Sequence, residues 1–115
     1  MAIYTSLPVY KEAYTLCVEM FAFTRGMARE YKYTLGERLK NQCIELILII
    51  YEANRGSTAE KPDLIDRARK ANETIRLLFR LCLDMKLCSM KNFVRLSNHV
   101  ESISKQLAAW QKYYK

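Results

Sequence analysis

Four stretches of this 115-residue chain carry apolar residues at alternating steps of three and four positions. The clearest stretch lies near the C-terminus and runs Phe93, Leu96, Val100, Ile103, Leu107, Trp110, Tyr114. This spacing places a narrow apolar stripe along an α-helix and aligns it with a partner helix crossing at roughly 20°. Four such stripes with short connections predict an all-α protein, an up-down-up-down four-helix bundle.

Turn and capping residues set the expected ends of the helices. Ser6 and Pro8 are suited to open the first helix, Arg55–Thr58 with Pro62 separates the second from the third, and Ser89 caps the fourth. With 3 glycines and 2 prolines, the chain has too few turn residues for a β-sheet protein of this length. The expected helices, within a single domain over 1–115, span about 7–28, 33–55, 63–87 and 89–113.

Two of the expected helices are apolar on more than one face. Leu46–Tyr51 is apolar for more than a full turn, and Leu77–Leu83 is interrupted only by Arg80. The outer side of a helix that is apolar all round can be buried only against another subunit when the bundle is this small. A β-strand at 47–51 is the alternative, but the apolar stripe continues unbroken through it. We therefore expect a homo-oligomer with interface residues Ile47, Ile49, Tyr51, Leu77, Phe79 and Leu81.

Positive charge is concentrated in the C-terminal part of the chain. Residues 67–115 hold 11 Lys/Arg and 3 Asp/Glu, a net charge of +8, whereas residues 1–66 hold 8 and 9, a net charge of −1. A split of this kind suggests a surface for an anion such as a nucleic-acid backbone. A basic face that only keeps the protein soluble is the alternative.

The cations of this part recur at helical spacing. Arg80 lies among apolar residues, where a guanidinium needs an anionic or hydrogen-bonding partner. The fourth helix has Glu101 as its only acid, so its cations are expected to be unneutralised. Helical faces of this kind contact phosphates and overall shape rather than reading bases. The candidate cations are Arg67, Arg69, Lys70, Arg76 and Arg80 on the third helix, and Lys91, Arg95, Lys105 and Lys112 on the fourth.

The sequence lacks a pattern typical of a catalytic or metal site. Glu12 and Glu19, like Glu45 and Glu52, are seven positions apart, but none lies on an apolar stripe and no Glu-x-x-His is present. His99 has no Cys, Ser or carboxylate partner at a motif spacing. We expect no enzyme activity, no metal and no cofactor, and we interpret Glu12 and Glu19 as a solvated face.

The remaining sequence features indicate the cellular compartment of the protein. The four cysteines form no Cys-x-x-Cys pair, which favours buried thiols in a reducing cytoplasm. The N-terminus lacks the features of a signal peptide, and the longest apolar run, Leu46–Tyr51, is far too short to cross a bilayer. We expect a cytoplasmic protein that does not bind a membrane.

Three segments resemble the accessory variability determinant (Avd) proteins of diversity-generating retroelements. Ile75–Phe93 is similar to the family's Arg-Leu-Leu-x-Arg-Leu stretch, which is followed by an acid, a Lys, a Ser-containing turn and Lys-x-Tyr/Phe. Leu107–Lys112 resembles its Leu-Gly-Gly-Trp-x-Lys, with alanines in place of both glycines, and Tyr33–Leu39 resembles the opening of its second helix. The resemblance extends over about 7–112.

Two segments depart from the Avd pattern. Met27–Glu30 replaces a Phe-Pro-Lys-like turn, and Ile103–Gln106 replaces Ile-Gly-Arg-Met. The related ribosomal-RNA intervening-sequence proteins share the bundle, but they usually end the second helix in an Asn-Ile-Ala-Glu-Gly-like motif that this chain lacks.

The resemblance implies a bacterial or phage-encoded homopentameric barrel of four-helix bundles with a strongly basic surface. Such a protein binds the element's reverse transcriptase and its template RNA, with DNA or an RNA/DNA hybrid as alternatives, and is not itself catalytic. The complex performs mutagenic reverse transcription and retrohoming. Arg76, Arg80, Lys86 and Lys91 fall on matching basic positions. The alternatives are a ribosomal-RNA-associated or general nucleic-acid-binding bundle, and an oligomeric scaffold that docks an acidic protein.

Overall fold

The structure, a computed structural model, describes residues 6–114; residues 1–5 and Lys115 of the expected domain lie outside that range. The described chain contains no β-strand, so the strand alternative for 47–51 is wrong and the expected helical bundle is confirmed. A single-turn helix, α2, fills the connection between the first two long helices and is not predicted by any sequence pattern. The helices are α1 (Pro8–Arg25), α2 (Arg29–Lys32), α3 (Leu35–Arg55), α4 (Lys61–Asp84) and α5 (Met90–Tyr113).

Capping residues explain two of the helix starts. Ser89 accepts a hydrogen bond of 3.1 Å from the backbone N–H of Asn92 and caps α5 as expected. The expected cap of α1 is shifted by one position, because Leu7 rather than Ser6 occupies the N-cap and Pro8 opens the helix. Proline is well suited to this place, since its fixed φ angle matches the first turn and its missing N–H would have no partner there.

The four long helices pack around one core. Each packs against its neighbours in the chain, and α1 also packs against α5, so that α3 lies diagonally across the bundle from α5. Neighbours run antiparallel, and the Cα trace measures 44 × 21 × 21 Å. We call the end at which α1 and α4 finish and α3 and α5 begin the upper end, and the opposite end the lower end.

The apolar stripes of α3 and α5 are buried as the spacing predicts. On α4 the spacing predicts a stripe of Leu64, Ala68, Ala71, Ile75, Leu78, Cys82 and Met85; Ala68, Ala71, Ile75 and Cys82 are buried as predicted, but the buried face is rotated toward Ile65 and Phe79. Ile65 and Phe79 are fully buried, whereas Leu64 and Leu78 are half-buried and Met85 is exposed. The buried stripe members are Leu39, Cys43, Leu46, Ile50 and Ala53 on α3, and Leu96, Val100, Ile103 and Leu107 on α5.

A three-ring cluster accounts for the rotation of α4. The Phe79 ring stacks on Phe93 with centroids 5.4 Å apart and meets Phe23 edge-on at 5.5 Å. Both arrangements are favourable for aromatic rings, so α4 turns Phe79 inward. Phe79 is 1% exposed and Ile49 is 4% exposed. The expectation that these two residues form a subunit interface is therefore wrong, because each is already buried within its own bundle.

Among the exposed apolar side chains, two areas matter for the expected subunit contacts. One lies along α1 and α3, and the other lies on α4, where Leu77 and Leu81 are exposed. Ile47 and Tyr51 are half-buried, and the Tyr51 hydroxyl accepts a hydrogen bond of 3.0 Å from Arg55. The α1/α3 area consists of Tyr14, Val18, Phe21, Ile44 and Leu48, with Ile47 at its centre.

The cysteines are all free thiols, and Cys17, Cys43 and Cys82 are buried, as expected. Burial, with a smaller contribution from Cys88, raises the pKa of Cys82 to about 12. Such a thiol is protonated and unreactive near neutral pH. None of the helices in 6–114 combines the length and apolar character needed to cross a membrane.

Candidate nucleic-acid interface

Two candidate cations form exposed ion pairs within α4. Lys70 Nζ lies 3.2 Å from Asp66, and Arg80 Nε lies 3.1 Å from Asp84. Arg80 is largely exposed in the bundle, and Asp84 is the anionic partner expected for a guanidinium among apolar residues. Exposed pairs one helical turn apart contribute only about 0.3–0.5 kcal/mol. Both cations can therefore exchange the carboxylate for another anion.

Arg76 is held more firmly. Its guanidinium lies between Glu73 on the same helix and Glu101 on α5, with 2.8 Å between Nη2 and Glu101 Oε1. Partial burial acts to lower the pKa of Arg76, but the hydrogen bonds and charges of the two glutamates outweigh it and raise the pKa. Arg76 therefore ties α4 to α5 and is largely neutralised, contrary to its expected role as a free phosphate contact.

Arg69 has a similar joining role. Its Nη1 donates a 2.6 Å hydrogen bond to Gln111 Oε1 on α5, and the Gln111 amide donates one of 3.1 Å to the carbonyl of Pro62. The side chain of Arg69 keeps its charge, since Gln111 is neutral, but its position is fixed by this contact.

A polar cluster joins α1 to α5. Glu19 pairs with Arg95 and lies 2.7 Å from His99 Nε2, while Glu12 bonds His99 Nδ1 and accepts a 2.9 Å hydrogen bond from Ser102. Two expectations are therefore wrong: the fourth-helix cations are not all unneutralised, and Glu12 and Glu19 are not a solvated face. The carboxylate partners of His99 lie on another helix, far from it in sequence.

A sequence signal for this cluster exists. Glu12 and Glu19 are seven positions apart, and Arg95, His99 and Ser102 are separated by four and three, so each set lies on one face of its helix. Antiparallel packing then places acid against base. The spacing can be used to predict these contacts only when it is known that α1 and α5 are neighbours.

The remaining candidate cations are exposed and form no ion pair within residues 6–114. They are Arg67, Lys86, Lys91, Lys105 and Lys112. Lys91, Lys105 and Lys112 are separated by multiples of seven and share the outer face of α5. At about 1.5 Å of rise per residue, this row is roughly 30 Å long. We call these three residues the α5 lysine row.

Lys86 is held in an unusual backbone conformation. Its φ angle is 61°, in the left-handed region that favours glycine. The N–H of Leu87 donates a 2.8 Å hydrogen bond to the Cys82 carbonyl, and that of Lys86 donates one of 3.0 Å to the Leu83 carbonyl. This pattern is a Schellman motif closing α4, with lysine where glycine is usual. The motif presents the ammonium group of Lys86 at the upper end.

The chain matches no protein-family model, and no curated protein matches it significantly. Across the described part of the chain, no three His, Cys, Asp or Glu side chains are grouped so that they could hold a metal ion.

Proposed function

We propose that this protein is a non-catalytic accessory protein of the Avd type, which binds the template RNA and the reverse transcriptase of a diversity-generating retroelement through its basic surface. The observation that carries the proposal is the α5 lysine row, together with Arg67 and Lys86. These exposed side chains have no carboxylate partner within the described chain. They can meet a phosphate backbone without first breaking an internal ion pair.

A matched pair of double variants tests the role of the α5 lysine row. Lys105→Gln/Lys112→Gln removes two of its charges, whereas Lys11→Gln/Arg55→Gln removes two exposed charges from α1 and α3. The first variant should bind a short RNA more weakly than the second. Equal losses of RNA affinity in the two variants would show that only the net charge of the protein matters. The α5 lysine row would then no longer be part of the proposed binding surface.

Assembly into a homo-oligomeric, pentameric barrel is part of the proposal. Its support is that the two exposed apolar areas lie on different faces of the bundle. Contact between unlike faces of identical subunits is heterologous, and such contacts close into a ring when the rotation permits. Among the expected interface residues, Leu77, Ile47 and Tyr51 keep exposed surface for such contacts, whereas the exposed side of Leu81 lines an open cleft between α3 and α4.

A scaffold that docks an acidic protein is the second candidate. It is favoured by one observation: Lys70, Arg76, Arg80 and Arg95 already pair with carboxylates in the bundle. These four show that the basic helices accept carboxylates as partners. Binding to an acidic polypeptide in preference to RNA at equal salt would support the scaffold over the nucleic-acid function.

A further inference from the structure

The charge of the folded chain is divided by bundle end rather than by sequence half. The upper end, formed by 21–40 and 80–95, holds 9 Lys/Arg and 3 Asp/Glu. The lower end, formed by 6–12, 50–66 and 106–114, holds 4 and 5. Antiparallel packing brings the α1–α3 connection from the near-neutral half beside the α4–α5 connection from the basic half. The upper end therefore carries a net charge of +6.

Most of this charge is not neutralised internally. At the upper end, Glu37 is paired with Lys40 and Asp84 with Arg80. Glu30 is the remaining acid. Six cations there have no ion pair with any described residue, and the end face is only 21 Å across. These upper-end cations are Arg25, Arg29, Lys32, Arg38, Lys86 and Lys91.

An open cleft of about 650 Å³ lies beside these cations, between the start of α3 and the end of α4. Its walls are largely apolar and aromatic, and Tyr33 is 63% exposed there. Arg38, Glu30 and Glu37 lie at the polar part of its lining. The apolar and aromatic lining residues are Tyr31, Tyr33, Leu35, Leu78, Leu81 and Met85.

The combination matches the chemistry of an unstacked nucleobase. A base presents two planar apolar faces, which stack on aromatic side chains, and a polar edge, while its backbone carries a negative charge at every nucleotide. A cleft with aromatic and apolar walls can hold the base, while Arg38 in its lining and the other upper-end cations on the same end of the bundle can meet the adjoining phosphates. In a duplex the bases are already stacked, so the cleft would be left empty.

We propose that the upper end binds single-stranded nucleic acid, with one base in the cleft against Tyr33 and the adjoining phosphates on the upper-end cations. This rests on the proposed nucleic-acid function and adds to it a location and a preference for single strands. Charge complementarity with a polyanion and the exposed aromatic ring are the two observations that select this partner.

The test measures binding of the full chain to a labelled, short single-stranded RNA by fluorescence anisotropy. Stacking on one aromatic side chain is worth about 1–3 kcal/mol per base, so Tyr33→Ala should weaken binding by about 5- to 150-fold. Tyr33→Phe keeps the ring and should stay within about twofold. The matched control Tyr113→Ala removes a tyrosine that is 79% exposed near the lower end, and it should have no effect.

A second variant supports the reading independently of Tyr33. Arg25→Gln/Arg29→Gln removes two upper-end charges without touching the cleft lining. It should flatten the salt dependence of binding by about 1.4 units of log–log slope, because each phosphate contact on a single strand contributes about 0.7. A blunt RNA duplex should be insensitive to Tyr33→Ala.

The outcomes are distinguishable. If the wild type binds RNA but Tyr33→Ala and Tyr113→Ala behave alike, the upper-end site is wrong and the proposed function stands. If the wild type binds no nucleic acid at low salt, the proposed function fails as well. If poly-glutamate of equal charge displaces the RNA as effectively as unlabelled RNA does, the surface recognises acidic polypeptides and the assignment to nucleic acid is overturned.

Discussion

His99 on α5 and Glu19 on α1 are joined by a 2.7 Å contact between Nε2 and Oε2, and the other ring nitrogen of His99 is bonded to Glu12. Both ring nitrogens of His99 therefore face carboxylates of α1. Arg95 adds a cation beside Glu19. Part of the positive charge of the C-terminal helix therefore holds the first and last helices of the bundle together.

Glu12 gives this cluster a pH dependence. Partial burial acts to raise the pKa of Glu12, but hydrogen bonds from His99 and Ser102 and the nearby charge bring it below the ordinary value of 4.5. A carboxyl with a lowered folded-state pKa contributes stability that is complete above its unfolded pKa and is lost as the pH falls through the folded one. Glu12→Gln should therefore lower the free energy of unfolding by about 1–2 kcal/mol near pH 7 and by much less near pH 3.

Urea unfolding of both proteins at the two pH values measures the effect. Glu45→Gln is the matched control, since Glu45 is exposed on α3 away from the cluster, and it should be nearly neutral at both. A loss for Glu12→Gln that is the same at both pH values would contradict the assignment.

Two apolar residues on opposite faces of α4, Leu77 and Phe79, test which face of the helix is buried. Phe79→Ala should destabilise the bundle by about 3–5 kcal/mol, because it empties the centre of the three-ring cluster. Leu77→Ala should change the free energy of unfolding by about 0.5 kcal/mol or less, because Leu77 is 67% exposed. Thermal or urea unfolding at low protein concentration reports both values. A larger effect at position 77 than at 79 would mean that α4 packs with a different face inward.

The backbone at Lys86 predicts a stabilising substitution. Glycine adopts a positive φ angle without strain, so Lys86→Gly should raise the free energy of unfolding by about 1 kcal/mol relative to Lys86→Ala. Both variants remove the same charge, so a difference in their stability reports backbone strain alone. Their RNA affinities should be equal, because they differ only in the backbone preference at this position. If glycine and alanine give equal stability, Lys86 is not held in the left-handed conformation in solution.

The proposed assembly predicts opposite behaviour at two adjacent positions on α3. Leu48 is 50% exposed in the α1/α3 apolar area, so Leu48→Asp should leave the bundle folded and reduce the particle size. Ile49 is buried in the bundle core, so Ile49→Asp should unfold it, because a charge would be placed in an apolar interior. Light scattering and circular dichroism together distinguish these outcomes. A wild type that is already monomeric would remove the oligomer from the proposal.

The sequence predicts the buried residues of a helix well where the apolar pattern of that helix alone determines which face is buried. On α5 the row of apolar residues at steps of three and four identifies the buried set, whereas on α3 the all-apolar stretch Leu46–Tyr51 also buries Ile49, which lies beside the row. On α4, Leu78 and Phe79 are both apolar, and the choice between them is made by Phe23 and Phe93 on other helices. Four residues of α2 are too few to show any period.

The sequence predicts the candidate interface less completely, because ion pairs between helices depend on which helices are neighbours. The spacing along α5 places Lys91, Lys105 and Lys112 on one face, but it cannot show that Arg95 meets Glu19 across the bundle. The distribution of charge along the chain likewise does not predict the positive charge of the upper end, because the cations there come from both halves of the sequence. Pairing and grouping between helices depend on which helices are neighbours, and that information is not local.

The salt dependence of RNA binding tests the central claim most directly. If three to five of the exposed cations contact phosphates, the logarithm of the affinity of the wild-type protein for single-stranded RNA should fall with the logarithm of salt concentration at a slope of about −2 to −3.5. Anisotropy titrations between about 50 and 200 mM salt measure this slope. A protein that fails to bind RNA at the low-salt end, or whose binding does not change across the range, would contradict the claim that its exposed lysines and arginines form a nucleic-acid interface.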